Sequence, residues 1–170
     1  HYRDNVYAPT HQEPGDDARA LGPRVARLHE DMTQLAEPTR EIVILDEHGI
    51  PLRAGNHARR FFEGPWVHHH AGRYYLSYST GDTHLICYAT SDTPYGPFTY
   101  QGVLLAPVVG WTTHHSICLF EGQWYLFYHD AVLSGGQTHL RSIKMASLEH
   151  DADGRIATIY PYGEGAVSPW

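Results

Sequence analysis

The chain has 170 residues, 42% of them hydrophobic and 18% charged, with a formal net charge of −7. That length can bury roughly 70% of the unfolded surface, so one substantial core is available. The acidic balance, without a basic stripe, excludes nucleic acid as a partner, and no apolar run is long enough to cross a membrane as a helix.

In chain order, the first 23 residues are rich in Pro, Asp and Gly and read as a long loop that carries Asp4, Asp16 and Asp17. Residues 24–28 and 41–45 read as outer strands of one sheet, with a short helical turn over 30–36 between them. Next comes Phe61-Phe62-Glu63-Gly64-Pro65-Trp66, a carboxylate between aromatic residues and a Gly-Pro turn. Such a setting holds an acid partly away from water and favours the form that keeps its proton, as a general acid requires. Residues 66–70, 73–79 and 84–90 read as successive strands, Pro94-Tyr95-Gly96-Pro97 as a turn, and 98–101 as the start of a fourth strand. A second set follows at 116–120, 123–129 and 139–146, then a tight turn at Asp151-Ala152-Asp153-Gly154 and a last strand over 155–159.

The two sets are copies of one unit. Gly72-Arg73-Tyr74-Tyr75-Leu76-Ser77-Tyr78 matches Gly122-Gln123-Trp124-Tyr125-Leu126-Phe127-Tyr128 at an offset of 50 residues, and Thr83-His84-Leu85 matches Thr138-His139-Leu140 at 55. A period near 50 built of short strands marks a β-propeller blade. The fold class is therefore all-β, with antiparallel four-stranded meanders. Residues 1–60 hold a leading loop and the remainder of one blade, 61–109 a second blade, and 110–170 a third blade and tail. Three blades fall short of the roughly 4–8 of a closed ring. The open sheet faces then call for an N-terminal segment, a partner chain or self-association.

Fourteen histidines are present. The run His68-His69-His70 alternates across a strand, so its members cannot share one metal. Cys87 and Cys118 lie in apolar runs and read as free buried thiols, which favours a reducing, cytoplasmic compartment. The chain starts at His1 rather than Met, so its natural beginning is expected upstream, which leaves secretion open.

The stretches FFEGPW (61–66), YLSYSTGDTH (75–84), YATSDTPYGPF (88–98), GWTTHHSI (110–117) and WYLFYHD (124–130) resemble glycoside hydrolase family 43, the five-bladed β-xylosidases and α-L-arabinofuranosidases of xylan degradation. The likeness covers nearly the whole chain, as the C-terminal part of a catalytic propeller. It implies that Glu63 is the general acid of an inverting glycosidase acting on xylo- or arabino-oligosaccharides. The base Asp of the family belongs to a blade upstream of these residues, and Asp4, Asp16 and Asp17 stand in no matching motif. The same likeness makes His114 the axial His beside a metal-water cluster, usually calcium, and it makes Arg141 and Thr83 substrate contacts. Phe62 and Trp111 become candidate walls of the sugar pocket, and His115 a structural residue. The alternative is a partial propeller that binds sugar or protein without hydrolysis, told apart by whether a base carboxylate comes within reach of Glu63.

Overall fold

The computed structural model describes residues 15–110 and 114–164. Its regular structure is strand, apart from one 3₁₀ turn at Val132–Ser134. Three two-residue strands come first: β1 (Arg24–Val25), β2 (Arg40–Glu41) and β3 (Ile44–Leu45). Four longer ones follow: β4 (Glu63–His70), β5 (Arg73–Ser79), β6 (Ile86–Ser91) and β7 (Phe98–Leu105). The last three are β8 (Ser116–Phe120), β9 (Gln123–Asp130) and β10 (Ser142–Leu148).

β4 to β7 form the expected antiparallel meander, with β4 at one edge of the order β3-β7-β6-β5-β4. Its central strands are buried on both faces, which explains their lack of polar alternation. Leu76 and Tyr78 of β5, with Cys87 and Ala89 of β6, face one core that includes Ile42, Ile44, Phe61, Phe62 and Phe98. Tyr75, Ile86 and Tyr88 face the opposite way, into a core shared with Ile117, Leu126, Tyr128 and Leu148 of the second sheet. Each such side chain contributes about 1.5–3 kcal/mol by leaving water. Two sheets packed face to face through aromatic and aliphatic residues are the unit from which a propeller is assembled.

Several expectations are corrected. Residues 41–45 do not form one strand: Arg40–Glu41 pair with Arg24–Val25, while Ile44–Leu45 run parallel to Phe98–Thr99 and become a fifth strand of the meander. The helical turn expected over 30–36 is instead a turn closed by a Leu28–Leu35 bridge. There the Asp31 carboxylate accepts the Thr33 N–H and hydroxyl, and Met32 takes a φ of 58°, which a helix does not allow. The third strand of each unit starts later than expected, at Ile86 and Ser142, and His84 is held in a turn at φ 56°.

The second sheet has three strands among the described residues, in the order β10-β9-β8. Residues 155–159 do not add the expected fourth. After the turn in which Asp151 Oδ1 accepts the N–H groups of Asp153 and Arg155, the chain crosses to the first sheet. The Ile156 N–H donates to the Tyr88 hydroxyl (2.9 Å), and Ile159 exchanges backbone bonds with Leu104 and Ala106. Polar groups of the first sheet thus capture this segment. Cys87 is buried as expected, which pushes its thiol up to about 12, but Cys118 is exposed on the outward face of β8.

The histidine run alternates as the strand period requires. His69 packs on Tyr74, while His68 and His70 face the second sheet. His68 stacks on Tyr75 with ring centroids 4.7 Å apart, and its Nε2 lies 3.0 Å from His150 Nε2, so one of the two rings donates. Burial, reinforced by His150 and His70, holds His68 at about 3, and burial with His70 holds His150 at about 4, both below the ordinary imidazole value of 6.5. A neutral imidazole in the fold and a protonated one in the unfolded chain make unfolding proton-linked. The contribution is fully present above 6.5 and is lost as pH falls toward about 3 to 4. Urea midpoints are therefore expected to fall steadily below about pH 6.5. His68→Phe, which keeps a flat ring against Tyr75 and Trp124, is expected to flatten that acid slope; an unchanged slope argues against this seam as the source.

Candidate active site

Glu63 opens β4 at an irregularity of the ladder. Glu63 pairs with Ser79 and Trp66 with Ser77, so one extra residue is inserted at Gly64-Pro65. This is a β-bulge, a device that bends a strand and re-aims a side chain. Its residues suit it: Gly64 has φ +62°, a left-handed value that favours glycine, and Pro65 brings no N–H to a place where the ladder is broken. The Glu63 side chain is left 18% exposed, shielded but open to one side.

Trp66 and Ser77 draw the next sheet toward this bulge. The Trp66 indole N–H donates to the Ile117 carbonyl (3.1 Å), and Ser77 Oγ lies 2.6 Å from His115 Nε2. His115 is half-buried, and desolvation of its ring holds its imidazole at about 3. Between these anchors and β9, His114 is set over the bulge. A Cβ on Gly64 would lie 3.4 Å from His114 Cδ2, and His114 Nε2 is 3.6 Å from Glu63 Oε1. The structure therefore brings together the two residues that the sequence singled out separately.

The remaining candidates surround this pair less directly. Phe62 is buried in the first core, where its ring lies against Gly81 and 5.6 Å from the Arg60 guanidinium carbon. It is a floor beneath the site rather than an open wall. The Thr83 hydroxyl lies 2.6 Å from Thr80 Oγ1 and donates to the His57 carbonyl (3.2 Å) within the loop next to Phe62. Arg141 is not inside a strand as expected; it immediately precedes β10, is exposed, and donates from Nε to the Thr138 carbonyl (3.0 Å). Trp111 and Asp4 lie outside the described residues. Asp17 pairs with Arg53 at 3.2 Å on the surface.

His129 is a residue of the site that sequence reasoning passed over, although it lies in the WYLFYHD stretch. Its Nε2 accepts the His114 backbone N–H (3.2 Å). Burial lowers its affinity for a proton, and Arg141 and His114 lower it further, against Asp130. The repeat held a signal: at the offset of 50, Ser79 and Thr80 are replaced by His129 and Asp130.

A metal is a different matter. Among the described residues no group of three or more His, Cys, Asp and Glu could hold one. Calcium prefers six to eight oxygens, and a single imidazole beside one carboxylate does not make that site.

The sequence from residue 6 to residue 156 matches the family described as glycosyl hydrolases family 43. A xylosidase/arabinosidase of Bacteroides ovatus is 61% identical over 158 residues, which are 93% of this chain and 49% of that protein. The crystal structure of the GH43_1 enzyme from Xanthomonas citri complexed with xylotriose is similar at 86% identity and a TM-score of 0.94, over all of this chain and 52% of that one. A third relative is a β-xylosidase/α-arabinofuranosidase from a compost microbial metagenome, solved with xylotriose in a calcium-free form. It shares 57% identity and a TM-score of 0.90, over 96% of this chain and 51% of that one. The chain thus spans about half the length of the relatives it matches.

The bulge glycine is the sharpest test of the geometry. Gly64→Ala combines a left-handed φ with a Cβ pressed on the His114 ring. It is expected to lower stability by about 1–2 kcal/mol, read from urea denaturation, since that is the usual cost of the left-handed region for alanine.

Proposed function

Because this chain belongs to glycosyl hydrolases family 43, we propose that it is the acid-bearing part of an inverting glycosidase that cleaves xylosides, arabinofuranosides or both. The observation that carries this reading is the bulge that presents Glu63, shielded on one side, to the His114 imidazole where the two sheets meet. Protonated Glu63 gives its proton to the glycosidic oxygen, the bond from that oxygen to the anomeric carbon breaks, and the aglycone leaves as an alcohol. A water attacks the anomeric carbon from the opposite face and yields its proton to a base carboxylate, which inversion requires about 6.5–9.5 Å from the acid. His114, 3.6 Å from the carboxylate, fixes the direction in which the acid points. Arg141 and Thr83 contact the sugar, and Phe62 with Trp111 limits the pocket, in this proposal.

The base comes from another blade. The outward face of the second sheet carries Phe120 (61% exposed), Ile143 (82%) and Met145 (58%), more apolar surface than a lone sheet leaves in water. A further sheet of the ring, supplied by an N-terminal segment or a partner chain, covers that face and brings the base Asp; self-association is the weaker way to cover it. Calcium at the ring axis would take its oxygens from groups outside the described residues, with His114 reached through water, and no step above uses it.

Two experiments test the proposal. In the completed ring, Glu63→Ala is expected to slow hydrolysis of aryl xylosides or arabinosides by about 10²–10⁴-fold for poor leaving groups. Good leaving groups, which need less protonation, are expected to lose much less. An equal loss across leaving groups of very different acidity rules out the acid role. The 170-residue chain alone, with its mass fixed by light scattering, is expected to show no appreciable turnover of the same substrates. Robust turnover by a verified monomer defeats the need for an outside base.

A further inference from the structure

We propose that His129 is a positioning residue of the acid site: by accepting the His114 backbone N–H, its Nε2 holds the His114 imidazole against Glu63. The inference rests on Glu63 being the acid. Its grounds are the register and the hydrogen bond itself. β8 and β9 pair Ser116 with Phe127 and Ile117 with Leu126, and extending that register by two residues sets His114 opposite His129. β8 starts only at Ser116, so the described ladder has ended by this point. A side chain takes the place of the backbone acceptor: His129 Nε2 receives the amide of His114 at 3.2 Å.

An amide N–H can only donate, so the accepting Nε2 carries a lone pair and the ring is the tautomer with its proton on Nδ1. The bond fixes the backbone of the residue whose ring lies over Gly64, 3.6 Å from the carboxylate. Two further bonds, from Trp66 to Ile117 and between Ser77 and His115, fix the same segment from the β4–β5 side. His129 is the anchor on the β9 side, and it stands immediately before the buried Asp130 that ties β9 to Ser142 and Tyr162. Without the His129 acceptor the His114 amide loses this bond to β9, while the His115 and Ile117 links to the first sheet remain.

The test compares His129→Leu, which removes the acceptor, with His129→Gln, whose Oε1 can replace it, in the completed ring. His129→Leu is expected to lower kcat for aryl pentosides with poor leaving groups by about 10- to 100-fold, the scale of a misplaced catalytic group. KM should change less than about threefold, because a positioning residue acts on the transition state and not on substrate binding. Good leaving groups should be nearly unaffected, and His129→Gln should recover most of the loss. Equal unfolding midpoints for the two variants tie the difference to the bond. A change in KM alone, an equal loss for both variants, or wild-type kcat in His129→Leu overturns the inference. Glu63→Ala, assayed on the same substrates, separates the two levels. Leaving-group sensitivity in Glu63→Ala with normal kcat in His129→Leu removes only the role of His129, whereas no such sensitivity in Glu63→Ala removes the acid reading itself.

Discussion

The site depends on one mechanical fact: His115 and Ile117, at the start of the second sheet, are pinned to the first. Trp66 and Ser77, neighbours across β4 and β5, bind Ile117 and His115, so the inner edges of the two sheets are locked at one end. Both bonds are partly shielded from water, where a hydrogen bond is stronger and its loss is more costly. The apolar contacts of Tyr75, Tyr88, Ile117 and Leu126 hold the sheets together over their area, but they are indifferent to small slides. The polar pins set the alignment, and with it the distance between Glu63 and His114.

Much of this was legible in the sequence. The repeat of 50 residues identified the strands of both units, because the same aromatic-aliphatic runs recur in each. Glu63 and His114 stood out because each precedes an inner strand in a run of unusual composition. What escaped was set by contacts distant in sequence. Nothing within residues 155–159 reveals that Tyr88, nearly seventy positions earlier, holds their backbone. Nor does residue 44 announce a parallel partner at residue 98. Arg141 read as a strand residue because the repeat was aligned through Thr138-His139-Leu140, whereas the turn there extends to the start of Ser142. His129 was hidden in a motif treated as a whole, and its part depends on a register that only the paired strands define.

The histidines divide into two environments. His68, His70 and His150 form a seam of rings between the sheets, with His68 stacked on Tyr75, His70 stacked on His150, and Trp124 meeting His70 edge-on. His114, His115 and His129 gather at the end of the same interface, next to Glu63. In both groups the ring offers a flat surface together with ring nitrogens that can hydrogen-bond, a combination that Phe lacks. The abundance of histidine in this chain is thus partly architectural.

Lys144 has a consequence of another kind. It turns inward, toward the buried carboxylate of Asp130 3.7 Å away, which leaves Ile143, Met145 and Ser147 as the outward side chains of β10. Among the described residues that strand pairs only with β9, so its free edge combines open backbone groups with apolar side chains and carries no outward charge. Natural edges are ordinarily blunted by a lysine, a proline or a bulge. The lysine that could guard this one is turned toward Asp130 instead. Left open, such an edge is a template for strand addition by other copies of the chain.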